Sequence, residues 1–417
     1  MTLLDRLNHP EKYGKVLLKW SLLGALMGTL GGFLGAFFHH ALHFVTHLRG
    51  EHPWLIFLLP LGGLVSVAIY QLFRLRTNRG TNEIIDAILN GDSVNPLIAP
   101  VIFLATSVTH LFGGSAGREG AALQLGGATA SLLSKVLHLK ENERTVLIMA
   151  GMSAVFAGLF GTPLTATIFC MEFASVGTLF TPALLPCYLS AFTASHVSAS
   201  FGVHAETFLL TEAVPFTFTV NWQVLVLSIS VGILGILMCW FLHEAEHFAA
   251  HKIPNPWIRI VVGGAILAAL TLLVGDHRYN GAGMDMALNA VAGNANWFDF
   301  LMKLLFTAIT LSAGFKGGEI VPTFCVGATF GCLLGGLMGL DPGFAAALAL
   351  VGLFCCVTNS PVASIFLSIE MFGGTNVYLF AFVCVVAFVI SGNWSLYGSQ
   401  LIQFSKSRFV KRKFEGE

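Results

Sequence analysis

The sequence predicts an all-α polytopic membrane protein built from two related halves. Three observations lead there: the composition, the placement of charge and an internal repetition. The chain has 417 residues, of which 55% are hydrophobic and 11% charged, with a mean hydropathy of +0.77. Soluble domains carry about 25% charged residues. So few charges cannot cover a water-soluble globule of this length. Lys+Arg 22 against Asp+Glu 22 gives no net charge, which excludes a polybasic nucleic-acid binder. The same composition excludes disorder and a long coiled coil.

Stretches 20–48, 53–73, 94–117, 146–171, 173–205, 342–369 and 371–405 contain no Asp, Glu, Lys or Arg. About twenty apolar residues span a bilayer. Several stretches are longer and are cut by Gly or Pro, so some are expected to hold two short or tilted helices. Gly 45 exceeds the ordinary share, as expected where membrane helices pack closely or break around an ion. Eight scattered cysteines without a CxxC pattern read as small buried apolar residues. Arg6, Lys12, Lys15 and Lys19 precede the first apolar stretch, and no cleavable signal is evident. Arg74, Arg76 and Arg79 follow the second stretch, and Lys406, Arg408, Lys411, Arg412 and Lys413 follow the last. The positive-inside rule puts these clusters and both termini in the cytoplasm of a cell whose inner (plasma) membrane holds the chain. One transmembrane domain, 1–417, is expected, with 406–417 as a cytoplasmic basic tail.

Three matched pairs recur at an offset of about 200 residues, in the same order. His39, His43, Phe44 and His47 match His243, His247, Phe248 and His251. Glu119 before Gly127-Ala128-Thr129 matches Glu319 before Gly327-Ala328-Thr329. Pro163-Leu164 leading to Glu172 matches Pro361-Val362 leading to Glu370. A first repeat of about 15–210 and a second of about 211–405 are expected. Inverted halves are favoured, because inverted repeats place ion sites at their midplane interface.

The chemistry concentrates at two glycine-rich bends. Gly113-Gly114-Ser115-Ala116-Gly117-Arg118-Glu119-Gly120 precedes a helix-like run. A helix that starts at such a bend exposes unpaired N–H groups, and with its dipole it attracts anions. The Glu119 carboxylate is itself an anion and would occupy the place of a mobile one until protonated. The alternative is a Glu paired with Arg118 at a helix start. Gly314-Phe315-Lys316-Gly317-Gly318-Glu319-Ile320-Val321-Pro322 is the second bend, with Pro322 suited to a first helical turn. Glu319 would face the same midplane region or simply cap its helix. Glu172 and Glu370 read as structural carboxylates at a helix junction. Tyr397 is either a hydroxyl donor at a constriction or a membrane-interface tyrosine. His243-Glu244-Ala245-Glu246-His247 has the HExxH spacing of a zinc metalloprotease. The first half repeats the histidines without that Glu, so a duplicated helix end is the better reading. The His39, His43 and His47 set has ligand spacing but reads as interfacial, with an incidental metal site as the alternative.

These residues resemble the CLC family of chloride channels and anion/proton antiporters. Gly117-Arg118-Glu119-Gly120 matches the family's GREG motif with its gating glutamate. Gly317-Gly318-Glu319-Ile320-Val321-Pro322 matches its GGxxxP motif, and Tyr397 matches its pore tyrosine. The resemblance covers essentially the whole chain. It implies a CLC-type fold with two inverted-topology repeats of broken and tilted helices, assembled as a homodimer in the lipid bilayer. Three places resemble the fluoride-specific bacterial branch: Gly-Ser-Ala-Gly-Arg-Glu-Gly at 114–120, Glu319 after Gly317-Gly318, and Ser395-Leu396-Tyr397. Where the chloride-selective branch has Gly-Ser-Gly-x-Pro, this chain reads Asn78-Arg79-Gly80-Thr81-Asn82. Phe173 stands where chloride antiporters have an internal proton-transfer glutamate. Thr81 and Val321 depart from the fluoride branch, which usually has Met or Asn at the first and often Thr at the second. The resemblance implies a fluoride/proton antiporter, not an enzyme, and no cofactor. Its gating and proton-transfer residues would be Glu119 and Glu319. Its anion ligands would be Gly117, Arg118, Gly120, Glu319, Ile320, Tyr397 and Thr81. A chloride/proton antiporter or chloride channel shares that fold and stays open as an alternative. An intramembrane zinc metalloprotease is the alternative from another class.

Overall fold

A computed structural model describes residues 10–75, 80–208, 210, 214–215 and 217–406. Arg6, Arg76, Arg79, Arg408, Lys411, Arg412 and Lys413, which entered the topology reading, lie outside the described residues. The described chain folds into two series of eight helices. The first is α1 Pro10–Glu51, α2 Leu59–Leu72, α3 Thr81–Asn90, α4 Ile98–Leu111, α5 Glu119–Val136, α6 Glu141–Phe160, α7 Pro163–Glu172 and α8 Leu184–Ser200. The second is α9 Phe218–Lys252, α10 Pro256–Val274, α11 Met284–Val291, α12 Asp299–Ala313, α13 Ile320–Met338, α14 Pro342–Thr358, α15 Pro361–Phe372 and α16 Val377–Ile390. Six helical stretches among the described residues are long and apolar enough to cross a membrane. At 42 residues, α1 is roughly 63 Å long, about twice the hydrocarbon thickness, so it must tilt or project from the bilayer.

Two of the long charge-free stretches do break in two. In 146–171 the chain leaves α6 through Gly161 at φ 70° and restarts at Pro163. In 342–369 it leaves α14 through Asn359 at φ 57° and restarts at Pro361. A left-handed residue ends each helix, and a proline in the first turn starts the next.

Packing repeats between the series. Helix α1 lies against α6 and α8, as α9 lies against α14 and α16. Helix α5 lies against α6, as α13 lies against α14. Across the halves α2 meets α10 and α7 meets α15. At Gly126 and Gly151, α5 and α6 come so close that a Cβ on either would strike the other's backbone.

The relation between the halves is fixed by two carboxylates. Glu172, ending α7, accepts from Val362 N at 3.1 Å and Ala363 N at 2.9 Å, in the first turn of α15. Glu370, near the end of α15, accepts from Leu164 N and Thr165 N, both at 2.8 Å, in the first turn of α7. Each satisfies amides that a helix start leaves unpaired. Since each helix caps the other's start, the two run antiparallel and a pseudo-two-fold axis crosses them. An axis of that kind inverts one half relative to the other.

One part of the basic tail belongs to the folded body instead. Lys406 Nζ donates to Asn359 Oδ1 at 2.5 Å and Ser391 Oγ at 3.2 Å, and sits 3.7 Å from the Phe388 ring centroid.

Candidate functional site: two helix starts that meet between the halves

The two glycine bends meet. Gly117 N donates to Gly318 O at 2.6 Å, and Gly318 N donates to Gly117 O at 2.8 Å. This antiparallel pair brings the starts of α5 and α13 together at the boundary between the halves. It also corrects the pairing of the two acids. Helix α5 begins at Glu119 after Arg118, and α13 begins at Ile320 after Glu319. The structural counterpart of Glu119 is therefore Ile320, and Glu319 stands opposite Arg118. Matching identical letters had displaced the alignment by one residue.

Glu119 is fully buried. Its Oε2 accepts from Arg118 N at 3.0 Å and Val321 N at 3.3 Å, one amide from each helix start. The carboxylate folds back over Gly117, where a side chain would collide with it. Oε1 has no hydrogen-bond partner and lies 3.7 Å from Arg118 Nε. The Arg118 guanidinium is otherwise engaged: it donates to Glu206 Oε1 at 2.5 Å and contacts His39 Nδ1 at 3.2 Å.

The other candidates fall into place around this carboxylate. A Cβ on Gly120 would stand 3.2 Å from Thr81 Oγ1 and 3.5 Å from Glu319 Oε2, so a hydroxyl and a second carboxyl converge there. Ile320 opens α13, and its N–H is among those a helix start leaves without a helical acceptor. The Gly117 amide is consumed by the Gly318 bond, and a Cβ at Gly117 would strike Glu119 Oε2. Tyr397 is 3% exposed with an unpartnered hydroxyl, and it lies within electrostatic range of Glu319 and Glu119. Its ring packs edge-on to Phe173 at 5.8 Å. Ser399 N donates to Asn82 Oδ1 at 3.1 Å, which ties the Tyr397 segment to the first turn of α3, where Thr81 sits.

Val321 and Lys303 carry parts of the site that the motif reading did not assign. Val321 supplies the second amide held by Glu119. Lys303, on α12, is fully buried. Its ammonium donates to Ser115 Oγ at 3.0 Å, Tyr279 O at 3.2 Å and Gly281 O at 2.7 Å. A buried charge costs several kcal/mol unless its donors are satisfied. Here Ser115 of the first glycine bend and two carbonyls of the segment between α10 and α11 satisfy them, so Lys303 ties the bend to that segment. An isolated lysine inside the apolar run 300–313 was the available signal.

A cavity of about 810 Å³ reaches Arg118 and Val321 from the end of α1, past His43, Arg49, Glu206 and Arg278. His247 and His251 stack at 6.2 Å near the end of α9. Among the described residues, no three His, Cys, Asp or Glu side chains gather with metal-binding spacing.

The family model described as voltage-gated chloride channel matches residues 61–392. The chain is 34% identical over 97% of its length to a chloride/fluoride channel protein of Pseudomonas syringae pv. tomato, covering 91% of that protein. It is 24% identical over 81% of its length to an H(+)/Cl(-) exchange transporter of Vibrio vulnificus, covering 78% of it. Among solved structures, a CLC-type fluoride/proton antiporter superposes with a TM-score of 0.89 at 35% identity, over 93% of this chain and 98% of the other. A slow cyanobacterial Cl-/H+ antiporter superposes with a TM-score of 0.76 at 20% identity, over 89% and 94%.

Proposed function

Since the chain belongs to the voltage-gated chloride channel (CLC) family, we propose that it exports fluoride from the cytoplasm in exchange for protons. The observation that carries this reading is one carboxylate oxygen of Glu119 held by an amide from each half. An anion arriving at the midplane needs those same donors. Ionised, Glu119 occupies them. A proton taken up at Oε1, the oxygen without a hydrogen-bond partner, removes the charge that holds the carboxylate on the amides. The freed N–H groups of Arg118 and Val321, with those of Gly120 and Ile320, then serve fluoride. When the proton leaves, the carboxylate returns and displaces the ion.

Fluoride is small and strongly hydrated, so its shell must be replaced by strong donors. The Thr81 hydroxyl beside Gly120 and the unpartnered Tyr397 hydroxyl supply two. Val321 lacks the hydroxyl usual in the fluoride branch, but the Glu119 contact uses its main-chain N–H, which any residue other than proline provides. Glu319, close to Gly120, sets the field there and assists passage. The 34% and 35% relatives are described with fluoride, which supports fluoride over chloride. The first of these is also described with chloride, so a chloride/proton antiporter or chloride channel is the second reading.

We place the C-terminal ends of α2 and α9, and both termini, in the cytoplasm on the positive-inside rule. The cavity at the end of α1 then faces outward. We take 15–210 and 211–405 as the repeats, a homodimer as the assembly and the inner membrane as its location. None of this assigns an enzymatic step to the chain.

Electrode-measured fluoride efflux from proteoliposomes, with chloride efflux and proton uptake alongside, tests the reading. Fluoride flux well above chloride flux is expected, with proton uptake lost in Glu119→Gln. Equal or greater chloride flux overturns the selectivity. Unchanged proton coupling in the variant overturns the role of Glu119.

A further inference from the structure

A second cavity, of about 460 Å³, lies between α2, the start of α10 and the end of α12. Helix α2 turns back from the end of α1, so this cavity lies toward the face opposite the first. Ser66, Tyr70, Arg259 and Lys316 line it, together with apolar groups such as Val67 and Pro256. Lys316 Nζ stands 4.9 Å from the Tyr70 ring centroid. No Asp or Glu is among the described lining residues, whereas the first cavity has Glu206, Asp276, Asp285 and Asp299. Glu246 and Glu319 are within electrostatic range of Lys316, but neither lines the cavity.

Two of the donors here, on Ser66 and Arg259, lack acceptors. Ser66 is 1% exposed and its Oγ has no hydrogen-bond partner. Arg259 Nε is enclosed and also without a partner. Among the described residues neither Arg259 nor Lys316 makes an ion pair. A buried polar group left unpaired costs about 1–3 kcal/mol, so the Ser66 hydroxyl and Arg259 Nε, beside the half-buried Lys316 ammonium, call for an acceptor. A guanidinium fork, an ammonium and a hydroxyl converging on one space suit several oxygens on one centre better than a single halide. The surrounding surface fits a partly apolar ligand: Val65 and Leu72 on α2 and Ile258 on α10 are exposed.

We propose that this cavity binds a phosphate-bearing anion, supplied either as the headgroup of an anionic phospholipid or as free phosphate. Basic pockets between membrane helices on the cytoplasmic side take lipid headgroups by the same chemistry. Lys316 precedes Glu319 by three residues, so an occupant that offsets the ammonium changes the field at Glu319. The assignment to the cytoplasmic leaflet rests on the orientation proposed above; the binding itself does not.

The test uses the full chain purified with phosphatidylcholine alone. Retention of added phosphatidylglycerol is read by native mass spectrometry, and binding of inorganic phosphate by phosphorus NMR. The wild-type chain is expected to hold one of the two, and Arg259→Gln/Lys316→Met to hold it about tenfold more weakly. Ser66→Ala, a smaller change for a variant that must fold, is expected to weaken it severalfold. Retained lipid without phosphate binding identifies the headgroup as the source; phosphate binding without retained lipid identifies the solute. Equal retention by wild-type and Ser66→Ala or double-variant chains overturns the proposal, as does binding of neither probe by the wild type. Glu119→Gln is expected to bind normally, so failure here is separable from failure of the transport reading.

Discussion

The bends before α5 and α13 leave helices of similar length, share one reciprocal pair of backbone bonds and start helices of similar length, yet they distribute charge differently. In the first, the acid is one residue inside the helix, and its side chain folds back onto amides from both helix starts. In the second, the acid stands one residue earlier, before the helix begins, and reaches toward Gly120 instead. The first bend is held from behind by Lys303 on another helix; the second carries its own lysine, Lys316, into the opposite cavity. One frame, with its carboxylates displaced by one residue, thus yields one acid that covers the amides and one that flanks them.

Four changes would break or sharpen this contrast. The largest effect is expected where the covering acid is neutralised. Glu119→Gln should lower proton-coupled flux by about a hundredfold or more, the range lost with a proton-transfer group, while Glu319→Gln should lower it less. Equal losses, measured by paired fluoride and pH electrodes, would erase the distinction. Next come the two carboxylates that obey the symmetry. Glu172→Ala and Glu370→Ala should each destabilise the fold by about 2–3 kcal/mol, for two charge-assisted bonds lost at a helix start. Glu370→Ala should cost more, since Glu370 also accepts from Thr165 Oγ1 at 2.6 Å; thermal unfolding in detergent reads the order. Third, Gly117→Ala should push the Glu119 carboxylate off the amides and change flux by about tenfold, because one displaced charge-assisted bond is worth about 1.5–3 kcal/mol. Gly317→Ala, whose nearest obstacle is Ala116 rather than a carboxylate, should leave proton coupling intact. The smallest effect belongs to Tyr397→Phe. It removes a single neutral donor, worth about 1 kcal/mol, so fluoride flux should fall about fivefold.

Much of this was readable from the residues. Charge-free stretches, Gly-rich bends and Pro-initiated runs announce helix starts because their physics is local. The Pro163/Glu172 and Pro361/Glu370 pairs disclosed the repeat, and the structure shows what they do: each acid closes the other helix. What local pattern could not supply were partners far along the chain. Val321 reaches Glu119 from 202 positions away, and Lys303 reaches Ser115 from 188. Nothing in either neighbourhood names the other. The acid pairing failed for a different reason. Glu119 and Glu319 are identical letters, but backbone geometry, which sets the helix start, had no letter to show it.

The bonds joining Gly117 and Gly318 stitch both halves together at the level where an ion would pass. Bodies sewn at their pivot cannot swing apart there without tearing the seam. Rotation of side chains such as Glu119 would change exposure from one side to the other while keeping both bonds, whereas parting the halves loses them. A chemical crosslink between the halves near that seam should therefore spare turnover.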